Sequence, residues 1–275
     1  MGGSKTEAKP DVAAADRADI LSTALQLADA AREAVLPYFR SASLEIESKD
    51  AASFDPVTTA DRSAETAMRD ILRRRRPRDG ILGEELGALR GESGLTWVLD
   101  PIDGTRAFLS GAPTWGVLVA LSDADGPRLG VIDQPWIGER FVGGLGEAWS
   151  DGPAGRVALA TRAPRRLSQA ILFTTFPEVG TEAEGRAFHR LSARCRLTRY
   201  GLDCYAYALV AAGQIDLVVE AGLHPYDVHA PIAVIEAAGG IVTDWKGKPA
   251  HHGGRVLAAA NCALHAEALE ILSRS

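Results

Sequence analysis

Between about Ile81 and Phe141 the apolar residues come in short runs (Trp97-Val98-Leu99, Val117 to Leu121, Leu129 to Ile132) cut apart by Gly, Pro and Asp. Runs too brief for helices and bounded by turn residues predict the strands of a sheet. The preceding segment follows another period. From about Ala13 to Arg40, Ile20, Ala24, Leu27, Ala31 and Val35 recur at helical spacing, and a second helix is expected from near Asp61 through Met68, Ile71 and Leu72 to the stop at Pro77. Its closing run, Arg73 to Arg76, suits the negative end of a helix dipole as a solvated helix end. Beyond Ala170, apolar runs at Ala170 to Phe173 and Leu217 to Val219 alternate with helical patterns near Cys204 to Ala212 and Val228 to Ala238. The expectation is a layered α/β chain. The Gly-rich stretch from Gly143 to Gly155 is the expected junction, dividing residues 13–150 from 151–275 within one domain, with 1–12 as a loose tail.

A hydrophobic fraction of 46% supports a sizeable core, and 30 basic against 36 acidic residues leave a net charge of −6. No general basic excess invites a nucleic acid. A small anionic ligand would need local help, and a bound cation is the obvious source. The three cysteines, Cys195, Cys204 and Cys262, have no metal-ligand spacing and read as reduced, mostly buried thiols. No apolar run approaches the roughly 18 residues that span a bilayer, and the polar start lacks a signal-peptide core, so a cytoplasmic location is expected.

The segment WVLDPIDGT sends a strand into Asp100, with Asp103 three residues on, beside a Gly104-Thr105 turn that opens a helix. Carboxylates at each end of a Pro-containing bend can face one point and suit hard cations that share a ligand. Backbone N–H groups of Gly104 and Thr105 would then be placed for a phosphate. An ordinary turn capped by Asp100 is the other reading. Glu84, in Gly83-Glu84-Glu85, follows the apolar pair Ile81-Leu82; Asp61 ends DPVTTAD at a helix start; Asp227 precedes a helical pattern closed by Gly239-Gly240. Taken singly, these are an exposed acid and two helix caps. Together, several carboxylates without His or Cys partners point to Mg²⁺ rather than zinc.

In this order and spacing, GEE, DPVTTAD, WVLDPIDGT and GLHPYDVHAPIAVIEAAGG resemble the inositol-monophosphatase family of Mg²⁺-dependent phosphatases. The resemblance implies an α-β-α-β-α sandwich of the inositol-monophosphatase and sugar-phosphatase type, a homodimer, and two or three Mg²⁺ per active site. It implies that Glu84, Asp100 and the Ile102 carbonyl hold one ion, and that Asp100, Asp103 and Asp227 hold a second. It further implies that Asp61 and Thr105, with Glu84, serve catalysis by a metal-activated water, and that Gly104 and Thr105 cradle the phosphate. Lys49 is a looser match to a basic residue near the site.

The substrate-facing details lean toward one branch. Arg106-Ala107-Phe108 follows the Gly-Thr turn, Tyr226-Asp227 stands where Trp-Asp is usual, and RYGLDCYAYALVAAGQIDLVVEAGLHPYD is similar to the histidinol-phosphate phosphatases of this type. That substrate carries an amine and an imidazole, which carboxylates can accept. Asp203, Glu220 and Arg106 are the implied substrate contacts, although Asp203 also reads as a helix cap and Glu220 as a strand end. His224 stands where that branch has Lys. His229 reads as a helix-surface residue, and His251-His252 as a polar loop. The expected reaction is hydrolysis of L-histidinol phosphate in histidine biosynthesis. The alternatives are an inositol-1-phosphate or broad sugar-phosphate phosphatase, or a non-catalytic regulatory protein that keeps the fold.

Overall fold

The structure is a computed structural model and describes residues 14–41, 46–48, 56–163 and 166–274. The tail 1–12, Lys49 and Asp55 lie outside the described residues. The described residues open with helix α1 (Ala14–Val35), a ribbon of β1 (Ile46–Ser48) and β2 (Pro56–Thr58), and helix α2 (Thr59–Arg75). Next come β3 (Gly80–Gly83), β4 (Gly87–Leu89), β5 (Thr96–Asp103), the short α3 (Thr105–Ser110), β6 (Gly116–Asp123), β7 (Gly126–Gln134), β8 (Glu139–Gly144), β9 (Glu147–Asp151) and β10 (Val157–Ala158). The rest comprises β11 (Ile171–Thr174), α4 (Glu182–Ser192), β12 (Leu197–Tyr200), α5 (Cys204–Ala211), β13 (Leu217–Leu223), α6 (Pro225–Ala237), β14 (Ile241–Thr243), β15 (Gly254–Ala259) and α7 (Cys262–Leu272).

Two sheets organise these elements. One has eight strands in the order β10-β9-β8-β7-β6-β5-β3-β4, the other five in the order β12-β11-β13-β15-β14. Strand periodicity shows how the layers stack, because successive side chains point to opposite faces. In β6, Val117, Val119 and Leu121 pack with Ile20, Leu27 and Met68 of α1 and α2, while Leu118 and Ala120 pack with Ala208, Val228 and Val234 of α5 and α6. In β15, Val256 and Ala258 join the α5 and α6 layer, while Leu257 and Ala259 meet Phe188 and Leu264 of α4 and α7. The order of layers is therefore α-β-α-β-α. Helix α6 lies tight on the larger sheet: a Cβ on Gly143 would come within 2.4 Å of Val234 Cα.

Several boundaries differ from the sequence expectation. Helix α1 stops at Val35, not near Arg40, because Pro37 disfavours helical backbone in the residue before it. The arginines after Leu72 are not simply a solvated end: Arg75 pairs with Asp19 at 2.5 Å, and Arg76 reaches Asp16 at 3.0 Å and Asp79 at 2.8 Å, tying α2 to α1. The Gly-rich stretch after Gly143 is not a junction. It holds the tight β8–β9 connection, where Gly144, Leu145 and Gly146 take positive φ, so a division at residue 150 falls inside β9, and the larger sheet ends only at β10. Cys204 is buried but Cys262 is exposed.

His229 is not on the helix surface. It is buried, with Nδ1 2.7 Å from Ser122 Oγ and Nε2 2.6 Å from the His251 carbonyl. Burial pushes its pKa down to about 4, so the ring is neutral; Nε2–H donates to the carbonyl and Nδ1 accepts from the hydroxyl.

Candidate active site

Asp100 and Asp103 would point to opposite faces of a regular strand, since an odd separation reverses the side. The β5–β6 pairing removes this difficulty. Asp100 pairs with Leu118 and Asp103 with Gly116, so Pro101 and Ile102 together face Val117, and this one-residue bulge restores both acids to one side. Pro101 suits the bulge because it has no N–H to leave unpaired. Locally, the Ile102 N–H donates to Asp100 Oδ1 at 3.2 Å, and Thr105 Oγ1 donates to the Ile102 carbonyl at 3.2 Å.

The third acid comes from the layer between the sheets. Asp227 lies in the first turn of α6, after Pro225, and its Oδ2 accepts from the His224 N–H at 2.7 Å. It therefore does the work of a cap from inside the helix. One oxygen each from Asp100, Asp103 and Asp227 lie within 4.8 Å of one another. Glu84 stands just past β3, its N–H donating to the Leu99 carbonyl at 3.2 Å, and its carboxylate acts on Asp100 by charge and by a side-chain hydrogen bond.

These groups resist ionising together. Asp100 is held well above the usual carboxylate range by burial first, then by the charges of Glu84, Asp103 and Asp227. Burial also pushes Asp103 up to about 7, with the Asp227 charge next in effect. Asp227 is likewise raised to about 7 by burial, against the pull of the His224 hydrogen bond. Crowded carboxylate oxygens whose charges oppose one another fit a hard divalent metal such as Mg²⁺, which takes oxygen donors and would relieve the repulsion. The neighbouring Cys204 thiol is pushed up by burial, so it offers no thiolate to compete for softer metals.

Asp61 is not the cap of α2. The helix starts at Thr59, and Asp61 is buried in its first turn, 1% exposed, where the helix dipole favours an anion. Thr105 starts α3, with Gly104 before it at φ 83°, and a Cβ on Gly104 would meet Asp203 Cγ at 2.8 Å. Asp203 occupies the cap position of α5 yet makes no capping bond; its backbone has φ 47°. Its N-terminal neighbourhood is served otherwise, since the Cys204 N–H donates to Asp103 Oδ2 at 2.6 Å.

A cavity of about 540 Å³ opens over the acids, with Asp203, Glu220, Arg106 and Tyr226 on its walls. Glu220 does not end its strand: it is buried within β13, accepting from the Thr175 N–H at 2.6 Å and Thr174 Oγ1 at 3.2 Å. Burial raises Glu220 and Asp203 to about 7, the latter also through Asp103 and against Arg106. The Arg106 guanidinium lies 4.8 Å from the centre of the Phe176 ring at the cavity mouth, and His224 stacks on Tyr226 with centroids 5.1 Å apart. Thr175 and Phe176 also line this space, and no motif in the sequence marked them; Tyr207 lines it too, inside the segment RYGLDCYAYALVAAGQIDLVVEAGLHPYD but not singled out there.

Known proteins share this architecture. The profile of the Inositol monophosphatase family matches residues 16–275. The chain is 43% identical over 257 residues to the chloroplastic bifunctional phosphatase IMPL2 of Arabidopsis thaliana, covering 90% of this chain and 72% of that one. It is 36% identical to the histidinol-phosphatase of Streptomyces coelicolor, over 94% of this chain and 98% of the other. Among solved structures, an inositol monophosphatase from Zymomonas mobilis superposes with a TM-score of 0.81 at 39% identity, covering 95% of this chain and all of that one. With its fold, its oxygen-donor cluster and these relatives in agreement, the chain belongs to the inositol monophosphatase family and is a phosphoric monoester hydrolase.

Proposed function

We propose that the protein hydrolyses L-histidinol phosphate to L-histidinol and phosphate with Mg²⁺ held at the acid cluster. The observation that carries the metal reading is the approach of Asp100, Asp103 and Asp227 within 4.8 Å. In this reading Glu84, Asp100 and the Ile102 carbonyl hold one ion, and Asp100, Asp103 and Asp227 a second, with room in the scheme for a third. Bound Mg²⁺ would offset the charge of the phosphate dianion and lower the pKa of a nearby water. Asp61 and Thr105 orient that water, and the Gly104 and Thr105 N–H groups steady the phosphoryl oxygens. The water oxygen forms the new P–O bond as the ester P–O bond breaks, and one of the water's protons ends on the departing oxygen, which leaves as the alcohol.

The acidic wall formed by Asp203 and Glu220 supports the choice of substrate. Burial raises both carboxyls to about 7, and an ammonium group arriving beside them would favour their charged forms. A sugar hydroxyl has no such charge to offer. The likeness to a histidinol-phosphatase along nearly the whole chain points the same way. The setting this implies is histidine biosynthesis, with a cytoplasmic homodimer as the family expectation.

Inositol 1-phosphate is the second reading, favoured by the 39% identity to the Zymomonas protein. A phosphate-release panel with Mg²⁺ decides between them, comparing histidinol phosphate, inositol 1-phosphate and adenosine 3′,5′-bisphosphate. We expect histidinol phosphate to have the highest kcat/KM. A higher value for inositol 1-phosphate would overturn the substrate and leave the phosphatase intact.

A further inference from the structure

Glu84 is the one carboxylate of the assigned cation site carried by a turn rather than by a strand or helix, so its position depends on whatever holds that turn. The connection is short, running from Gly83 at the end of β3 to Gly87 at the start of β4. The Glu84 N–H is used by the Leu99 carbonyl. The next two N–H groups share a single acceptor, the carboxylate of Glu65: Glu85 N donates to Oε2 at 2.7 Å, and Leu86 N lies 3.3 Å from both oxygens.

Glu65 belongs to α2 and is 0% exposed. Arg69, one helical turn further, donates from Nε to Glu65 Oε1 at 2.7 Å and from Nη2 to the Gly87 carbonyl. Two side chains of α2 thus hold N–H and C=O groups of the turn that bears Glu84. The fit leaves no slack: a Cβ on Gly83 would lie 1.9 Å from Glu65 Oε1. Asp61, Glu65 and Arg69 recur every four residues and form one stripe of the helix, so a single rigid element carries both the acid assigned to the water and the clamp on Glu84.

We propose that Glu65, charge-balanced by Arg69, is a positioning residue for Glu84 and thereby sets the affinity of the site for its cation. The proposal rests on the metal-site reading above. A residue that merely stabilised the fold would lower the melting temperature and leave the affinity of the folded protein for cations unchanged. Residues that orient metal ligands act on affinity instead.

The test uses the full-length, metal-stripped protein and Glu65→Gln, which keeps size and one acceptor oxygen but loses the charge. Mn²⁺ binding is read from the EPR signal of the free ion, and half-saturating Mg²⁺ from phosphate release. We expect Mn²⁺ affinity to fall and half-saturating Mg²⁺ to rise by on the order of 10-fold, with turnover at saturating Mg²⁺ close to wild type. Gly83→Ala, which displaces the same carboxylate from the other side, should shift both in the same direction and carries the test if Glu65→Gln does not fold. Unchanged Mn²⁺ affinity in the folded variant, or a turnover deficit that saturating Mg²⁺ leaves in place, overturns the proposal. Wild-type protein that takes up no Mn²⁺ would instead remove the metal-site reading, and the proposal with it.

Discussion

Asp100 is 1% exposed and faces three other carboxylates, so in the cation-free protein its charge is opposed by burial and by its neighbours. Replacing it by Asn removes that opposition at almost constant shape. Asp100→Asn is therefore expected to raise the melting temperature of the chelated protein while lowering turnover with Mg²⁺ by at least about 10²–10³-fold, the scale of losing one preorganised electrostatic group. Calorimetry in EDTA and phosphate release in Mg²⁺ check the two signs separately; a folded variant with wild-type turnover would refute the assigned centre. Asp100 and Asp103 could be read from the chain because an apolar run leads straight into them. Glu65 could not be. A glutamate four residues from an arginine on a helix looks like an exposed ion pair, and only the backbone of residues 85 and 86, distant in sequence, makes it a buried acceptor. His229 was misread for a related reason, since a polar residue near a helix start declares nothing about the Ser122 hydroxyl and His251 carbonyl that bury it.

At the level of elements, α6 brings Asp227 to the bulge of β5, and His229 locks the helix between β6 and the loop before β15. His229→Ala would strand a buried hydroxyl and a carbonyl, an expected cost of about 2–4 kcal/mol, measured by urea unfolding in EDTA; a loss below a few tenths would show that the two bonds do not anchor the helix. The strands and helices were legible because their apolar periods differ. The bulge was not, since which side a residue faces depends on the register against β6, and register is a property of two strands together. The β8–β9 hairpin was mistaken for a junction because glycine marks a tight turn and a flexible linker alike.

Across the whole molecule, the site draws Asp100 and Asp103 from the eight-stranded sheet, Glu84 from the turn between two of its strands, Asp227 from the helix layer, and Glu220 from the five-stranded sheet. The raised pKa values give the cation-free fold a pH dependence whose sign follows from linkage. Carboxylates near 7 in the fold but about 4 in the unfolded chain lend stability that is complete below about pH 4 and lost as pH rises through about 7. His229, held near 4, works in the opposite sense between about pH 4 and 6.5, but it does so with or without Mg²⁺. The rise in melting temperature on adding Mg²⁺ should therefore grow from pH 5 to pH 8, as scanning calorimetry can record; a rise independent of pH would mean that the ion binds away from these carboxylates. Asp103 and Asp227 also stand far apart in the chain and meet only in the fold. An ion held by both is a reversible stitch between β5 and α6, so resistance to proteolysis should follow the free divalent-ion concentration, much as a disulfide-linked protein follows the redox state of its surroundings.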